Sequence, residues 1–344
     1  MLRGPLGTPG AGSVTGAGRP AVRAGVPRGT AHDAAPGSMG KDAAPRGLAR
    51  RAGRLLATAR VAVLAALAVL ALVPAGRGQA PAPARHVVVL SLDGARADAL
   101  RAAMPAALVA RGAVSWTAKT TLPSLTLPSH ASMLSGVPPR VHGVLVNDWQ
   151  PGQPYFDRAT VFTEVTRAGR RAVALVAKAK LLMLVPPGSV AAARHLVYPR
   201  YRQVEVVDAA AAVFADQRPA LLFVHVADPD DVGHRAGWMS PDYLRVIAGI
   251  PALVERLLRA LEAAGAASLL LVTADHGGHG RLHGTDRPED VTIPWLAFGG
   301  AARSGVTIAR DVVTYDTAAT VLAALGLPVP ADWHGQPVRE ALAP

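Results

Sequence analysis

Leu269–Gly284, LLLVTADHGGHGRLHG, decides how the rest of the chain is read. Its first five residues, Leu269–Thr273, form a short apolar run with the length and β-branched character of a buried strand. Just past that run come Asp275, His276, His279 and His283, four candidate metal ligands within nine residues and spaced by glycines. In an open α/β sheet, ligands bind where loops converge at the carboxyl ends of the strands. A strand that ends in Asp and His therefore predicts an α/β fold with a site along that edge. Taken alone, the stretch also reads as a glycine-rich turn that happens to carry histidines. The rest of the chain weighs against that alternative.

Upstream, Val87–Leu92 is a second apolar run, and it delivers Asp93-Gly94 at its end. Leu221–Val226 is a third, leading into Asp228-Pro229-Asp230-Asp231-Val232-Gly233-His234. Neighbouring charges of one sign are costly unless solvated or neutralised by a cation, so this cluster is either an exposed acidic turn or part of a cation site. Ala172–Ala177 and Pro294–Phe298 are further strand candidates. Residues 99–110, Val204–Phe214, Pro241–Ala264 and Thr314–Leu325 read as helices. The alternation predicts an α/β domain over residues 85–344, with a largely parallel central sheet flanked by helices.

Thr126-Leu127-Pro128-Ser129-His130 runs into a helix-compatible stretch, with Pro128 suited to the first helical position. Thr126 is then either the N-cap or a hydroxyl held beside an anion, since a helix N-terminus offers free N–H groups and the positive end of the dipole. Asn147 is a turn former or an amide donor for a phosphoryl oxygen. Lys178 and Lys180 fall in a region, 150–220, that carries no chemical signal. Asp93, Thr126, Asp230, His234, Asp275, His276 and His283 all stand at or just beyond the ends of separate predicted elements. Asp and His suit zinc, and seven groups exceed one tetrahedral site but match two ions sharing a reactant.

Composition narrows the partners. The chain has no cysteine, which excludes thiol catalysis, Cys-based zinc sites and disulfides. Its formal charge of +12 is mostly a property of one end. Residues 1–60 hold 10 of the 36 Lys/Arg against two acids, and the other 284 residues carry a balance of only +4. With aromatics at 4%, no nucleic-acid recognition is expected. Residues 1–54 read as a disordered basic leader rich in Gly, Ala, Pro and Arg. Residues 55–84 read as a signal peptide and linker, because Val61–Val73 is an apolar run between arginines and small residues. An uncleaved N-terminal anchor is the alternative, with Met39 as a second candidate start. The expected location is periplasmic or extracellular, with membrane contact only if that segment is retained.

The chain resembles the type I phosphodiesterase/nucleotide pyrophosphatase group of the alkaline phosphatase superfamily. The likeness rests on Ser91-Leu92-Asp93-Gly94-Ala95-Arg96, Thr126-Leu127-Pro128-Ser129-His130, His142-Gly143 with Asn147, Pro229-Asp230-x-x-Gly233-His234, and Asp275-His276-Gly277, over roughly residues 85–330. It implies an alkaline-phosphatase-like fold and two divalent ions, zinc being the expected metal. One ion would be held by Asp230, His234 and His283, with His279 the fallback for the last. The other would be held by Asp93, Asp275, His276 and the Thr126 oxygen. Thr126 would be the nucleophile, while Asn147 and the Thr126 N–H would steady a phosphoryl oxygen of a small-molecule phosphate ester. In nucleotide-cleaving members an aromatic follows the nucleophile and stacks on the base. Here that residue is Leu127, and Phe223 is expected to face the core, so weak nucleobase selectivity is expected unless Trp149, Tyr155 and Phe156 supply another platform.

Overall fold

A run of buried, apolar strands needs cover on both faces, and the chain supplies it with helices between strands. The computed structural model describes residues 83–197, 202–265 and 267–344. The leader, and the signal or anchor segment up to residue 82, lie outside the described residues. The strands are β1 (His86–Leu92), β2 (Ala113–Lys119), β3 (Ala172–Val176), β4 (Ala192–His195), β5 (Leu221–Val226), β6 (Ser268–Thr273), β7 (Thr292–Phe298) and β8 (Val306–Thr307). They form one sheet in the order β4-β3-β5-β1-β6-β7-β2-β8. Only β7 runs against its neighbours, antiparallel to both β6 and β2. All other pairs are parallel.

The flanking helices are α1 (Ala97–Ala103), α2 (Thr126–Ser135), α3 (Val161–Arg167), α4 (Gln203–Gln217), α5 (Asp228–Ala236), α6 (Pro241–Glu262) and α7 (Asp316–Ala324). α6 packs against α1, α4 and α5, whereas α2, α3 and α7 pack against one another. Strand alternation shows that the two groups cover opposite faces. On β1, His86 meets Phe214 of α4, while Ser91, of opposite parity, bonds His130 of α2. With both faces covered, the central strands are apolar throughout, as parallel strands in such a sandwich must be. Val87–Val89, Leu221–Val224 and Leu269–Val272 are all essentially solvent-free.

The predicted β5 is observed residue for residue, and β1, β3 and β6 differ from expectation by one residue at one end. Three differences have clear causes. The helix expected over 99–110 stops at Ala103, because Pro105 lacks the N–H that would continue the ladder. α2 begins at Thr126 rather than at Pro128, whose missing N–H falls among the first four, which have no partner inside a helix in any case. The acidic stretch after β5 is a helix, α5, with Pro229 in its first turn and its aspartates at the positive end of the dipole. No described helix is long and apolar enough to cross a membrane.

Candidate metal centre

Strands β3, β5, β1 and β6 lie side by side and parallel, so their carboxyl ends share one edge. Each delivers a charged group there: Lys178 after β3, Asp230 after β5, Asp93 after β1, and Asp275-His276 after β6. The first turn of α2 adds Thr126, and the loop after β6 returns with His283. His234 follows Asp230 by four residues on α5, which puts the two side chains on one helix face.

These groups converge. His276 Nε2 lies 3.4 Å from Asp93 Oδ1, 3.4 Å from Asp275 Oδ2, 3.9 Å from Asp230 Oδ1 and 3.4 Å from Thr126 Oγ1. His234 Nε2 and His283 Nε2 stand 3.4 and 3.6 Å from the same Asp230 Oδ1. Two donor sets result, Asp230/His234/His283 and Asp93/Asp230/His276, each with ligand atoms within 4.8 Å of one another. Asp275 joins the second set through Oδ2, while its Oδ1 accepts from the Gly94 and His276 N–H groups. His279 stands apart, its Nδ1 2.7 Å from the buried Asp290, so the fallback ligand is committed elsewhere.

The donor chemistry fits divalent metal binding. Asp93 Oδ1, Asp230 Oδ1 and Asp275 Oδ2 are buried and have no hydrogen-bond partner, an arrangement that is costly unless a cation meets them. His276, His283 and His234 donate Nδ1–H to the backbone carbonyls of Gly277, Ser124 and Arg281. That fixes the tautomer in which each Nε2 presents a bare lone pair to the carboxylates, the arrangement typical of metal-bound histidine. Burial keeps His283 neutral down to about pH 4. Burial and the charge of Asp93 push the Asp275 carboxyl well above the usual range. These carboxylates cannot all ionise together comfortably without positive charge between them.

Residues outside the two donor sets hold this arrangement in place. Lys178 pairs with Asp93 Oδ2 at 2.8 Å and with Asp230 Oδ2. Burial alone would lower its pKa, but the two carboxylates raise it instead. Burial would likewise raise Asp93, yet Lys178 and His225 hold it well below the usual carboxylate range. His225 Nδ1 accepts from the Ala177 N–H, so its Nε2–H donates to Asp93 Oδ2 at 2.9 Å. His130 bonds the Thr126 carbonyl and the Ser91 hydroxyl, bracing α2 against β1.

Trp238 is the other unrecognised organiser. Its Nε1–H donates to the Gly94 carbonyl, as does the Tyr243 hydroxyl, both at 2.9 Å. A Cβ on Gly233 or Gly278 would fall 2.5 or 2.3 Å from its indole, which explains the glycine before His234 and the one two residues past His276. Gly94 itself has φ +69° and would place a Cβ 2.9 Å from the Asp230 backbone, so the loop after β1 requires glycine.

Asn147 reaches the α2 N-terminus, where its Oδ1 accepts from the Leu127 N–H at 2.9 Å and from Lys180 Nζ at 3.0 Å. Leu127 is fully buried, and Phe223 faces the core against His130 and Phe162. Of the loop aromatics, Trp149 and Phe156 are buried, and Tyr155, 43% exposed, is the one facing solvent.

Fold and donor set define the class of the molecule: a mostly parallel α/β sheet whose carboxyl edge carries a two-centre Asp/His cluster beside a threonine at a helix N-terminus. A family model for type I phosphodiesterase / nucleotide pyrophosphatase matches residues 87–281, more than half of the chain. The chain belongs to that family. Among curated proteins, a phosphopentomutase of Methylobacterium sp. (strain 4-46) is 39% identical over 127 residues, 36% of this chain and 30% of its own length. A 2,3-bisphosphoglycerate-independent phosphoglycerate mutase of Haloarcula marismortui is 28% identical over 154 residues, 43% and 29% of the two lengths. The chain thus spans under a third of the length of these relatives. Murine ectonucleotide pyrophosphatase / phosphodiesterase 5, inactive and in complex with AMP, superposes with a TM-score of 0.63 at 17% identity, covering 75% of this chain and 100% of the other. A 2-O GAG sulfatase superposes at 0.59 with 14% identity, covering 74% and 73%. At such identities the likeness is one of fold.

Proposed function

We propose that residues 85–344 form an exported two-metal hydrolase that cleaves phosphodiester bonds, nucleotide pyrophosphates among them, through a phosphothreonine at Thr126. The observation that carries this reading is one juxtaposition. The Thr126 hydroxyl lies 3.4 Å from His276 Nε2, beside three buried carboxylate oxygens without partners. Asp93, Asp275 and His276 would hold one ion on the Thr126 side, and Asp230, His234 and His283 the other. Two divalent ions, zinc on the donor types, would lower the pKa of the hydroxyl and stabilise charge on the phosphoryl and leaving oxygens.

The chain's own residues then do the rest. Thr126 Oγ1, its proton passing to solvent, attacks phosphorus in line; the bond to the leaving oxygen breaks, and the leaving group departs with that electron pair. Water next attacks the same phosphorus and gives a proton to solvent, the Thr126 Oγ1–P bond breaks, and the departing Oγ1 takes up a proton to restore the hydroxyl.

Turnover of bis-p-nitrophenyl phosphate against p-nitrophenyl phosphate, with and without chelator, tests the reading. Diester turnover that is lost to chelator and restored by zinc is expected. Preferred turnover of the monoester would make this a phosphomonoesterase, turnover of a phosphonate but neither ester would make it a phosphonate hydrolase, and turnover of none would leave a metal-binding exported protein. Transfer of the phosphoryl group to a hydroxyl of the substrate in place of water would give the mutase activities named for the curated relatives. Because Leu127 and Phe223 are buried, a nucleoside p-nitrophenyl phosphate should exceed methyl p-nitrophenyl phosphate in kcat/KM by less than about a hundredfold. Export predicts a mature N-terminus between about residues 75 and 86, read by intact mass.

A further inference from the structure

The sequence presents Lys178 and Lys180 as a pair, yet the fold gives them different tasks. Lys178 takes both carboxylates, Asp93 and Asp230. Lys180 makes no ion pair among the described residues. Instead its ammonium lies 3.0 Å from Asn147 Oδ1 and 3.5 Å from the Asn147 carbonyl. The second partner of that same Oδ1 is the Leu127 N–H at 2.9 Å, one residue past Thr126.

This geometry settles which way the carboxamide faces. A backbone N–H and an ammonium are donors only, so the atom between them must be the amide oxygen. Turning the amide over would set its NH2 against two donors at once. The oxygen is therefore fully engaged by groups from two different elements, the first turn of α2 and the short 3-10 turn Ala179–Leu184 after β3. Asn147 Nδ2 has no partner among the described residues. Without Lys180, a single bond to Leu127 would remain to fix a side chain on a loop whose neighbours Leu145 and Val146 are exposed.

We infer that Lys180 is a positioning residue that, with the Leu127 N–H, locks the Asn147 carboxamide by its oxygen and so reserves Nδ2 as the donor for a phosphoryl oxygen at Thr126. The inference rests on the phosphoryl-transfer reading of Thr126 and Asn147, and it assigns Lys180 no contact with substrate. Donors already aimed where charge develops need no reorganisation during the reaction, which is why the orientation matters.

A double-mutant cycle on the zinc-loaded full chain tests this, using Lys180→Met, Lys180→Gln, Asn147→Ala and Lys180→Met/Asn147→Ala. The readouts are kcat and KM for bis-p-nitrophenyl phosphate, Kd for orthovanadate, zinc content and Tm. Lys180→Met should lower kcat and weaken vanadate binding by roughly tenfold, the scale of one lost hydrogen bond, with KM, zinc content and Tm little changed. Lys180→Gln, which keeps an N–H donor, should recover much of the loss. In the Asn147→Ala background, Lys180→Met should have no further effect on either quantity. An undiminished effect in that background would show that Lys180 meets the substrate itself and would overturn the lock. So would a Lys180→Met chain with unchanged kcat and vanadate affinity, or one whose losses follow zinc content or Tm. If the wild-type chain turns over no phosphate ester, the proposed function fails, whereas the vanadate cycle still reads the coupling between Lys180 and Asn147.

Discussion

The two donor sets use similar residue types but differ in their supports, and His234 alone among their side chains is substantially exposed. Asp93, Asp275, His276 and Thr126 are wholly buried, and a further buried layer of His130, His225 and Ser91 braces them. Across Asp230, the His234 side chain is 44% exposed and is tied to a loop carbonyl, that of Arg281. His283 leans on His276, the rings stacked 3.7 Å apart. One set is thus built on strand ends, and the other on a helix face and a returning loop. The strand-end set should bind its ion tightly and exchange it slowly, and the rim set should be the looser of the two. The expected difference comes from what surrounds the ligands, not from which residue types they are.

The largest expected effect lies on the buried side. Thr126→Ala should keep the fold and both ions yet lower turnover by at least roughly 10³-fold, with no phosphorylated chain in acid-quenched mass spectra. Thr126→Ser should retain part of the activity. If Thr120 or Thr121 proved essential instead, the nucleophile would be misplaced.

Next come the histidines. His276→Ala should abolish turnover and leave at most one ion per chain, whatever the zinc concentration. His234→Ala should also lose an ion on dialysis, but excess zinc should restore part of the activity. Equal, irreversible losses in metal analysis and kcat would break the contrast between the two sets.

Chelation gives a third test without mutation. Release of zinc to a chromogenic chelator should be biphasic, one ion leaving well before the other, with activity lost in the first phase. A single phase carrying both ions would show that Asp230 and Lys178 couple the sets into one unit.

The smallest effect concerns His142, which lies outside both sets and serves as the reference. Its Nδ1 accepts from the Val144 N–H, and its Nε2 meets Ser132 Oγ. Burial lowers its pKa from 6.5 to about 4. The unfolded chain therefore binds the extra proton more readily between those values, so this group's stabilisation is complete above pH 6.5 and is lost as pH falls toward 4. Denaturant midpoints should fall over that window, and His142→Gln should make the fall shallower without changing zinc content.

Much of this was legible in the chain because its signals are local. An apolar run of strand length ending in Asp93, in Asp228–Asp231, or in Asp275-His276 announces a strand and its chemistry together, and β5 appears residue for residue as read. The rest was silent for physical reasons. β4 is short and partly exposed, so no apolar run marks it. Helix α5 starts with Asp-Pro-Asp-Asp, residues as common in turns as in a first helical turn. Lys178, Lys180 and His225 matter through partners dozens of residues away, and neither spacing nor periodicity encodes such partners.

What the sequence alone determined is the inventory: which segments bury, which residues end them, and an α/β class with an Asp/His edge beside Thr126. Only the tertiary structure decided the lateral order β3-β5-β1-β6, with β7 reversed. Strand neighbours are chosen by helix packing on both faces across long stretches of chain, and that choice leaves no trace in a strand's own residues. Yet this order alone sets Lys178 between Asp93 and Asp230 and lets Lys180 reach Asn147. The candidate donors could be read from the sequence; what holds and orients them could not, because it is made of contacts between elements.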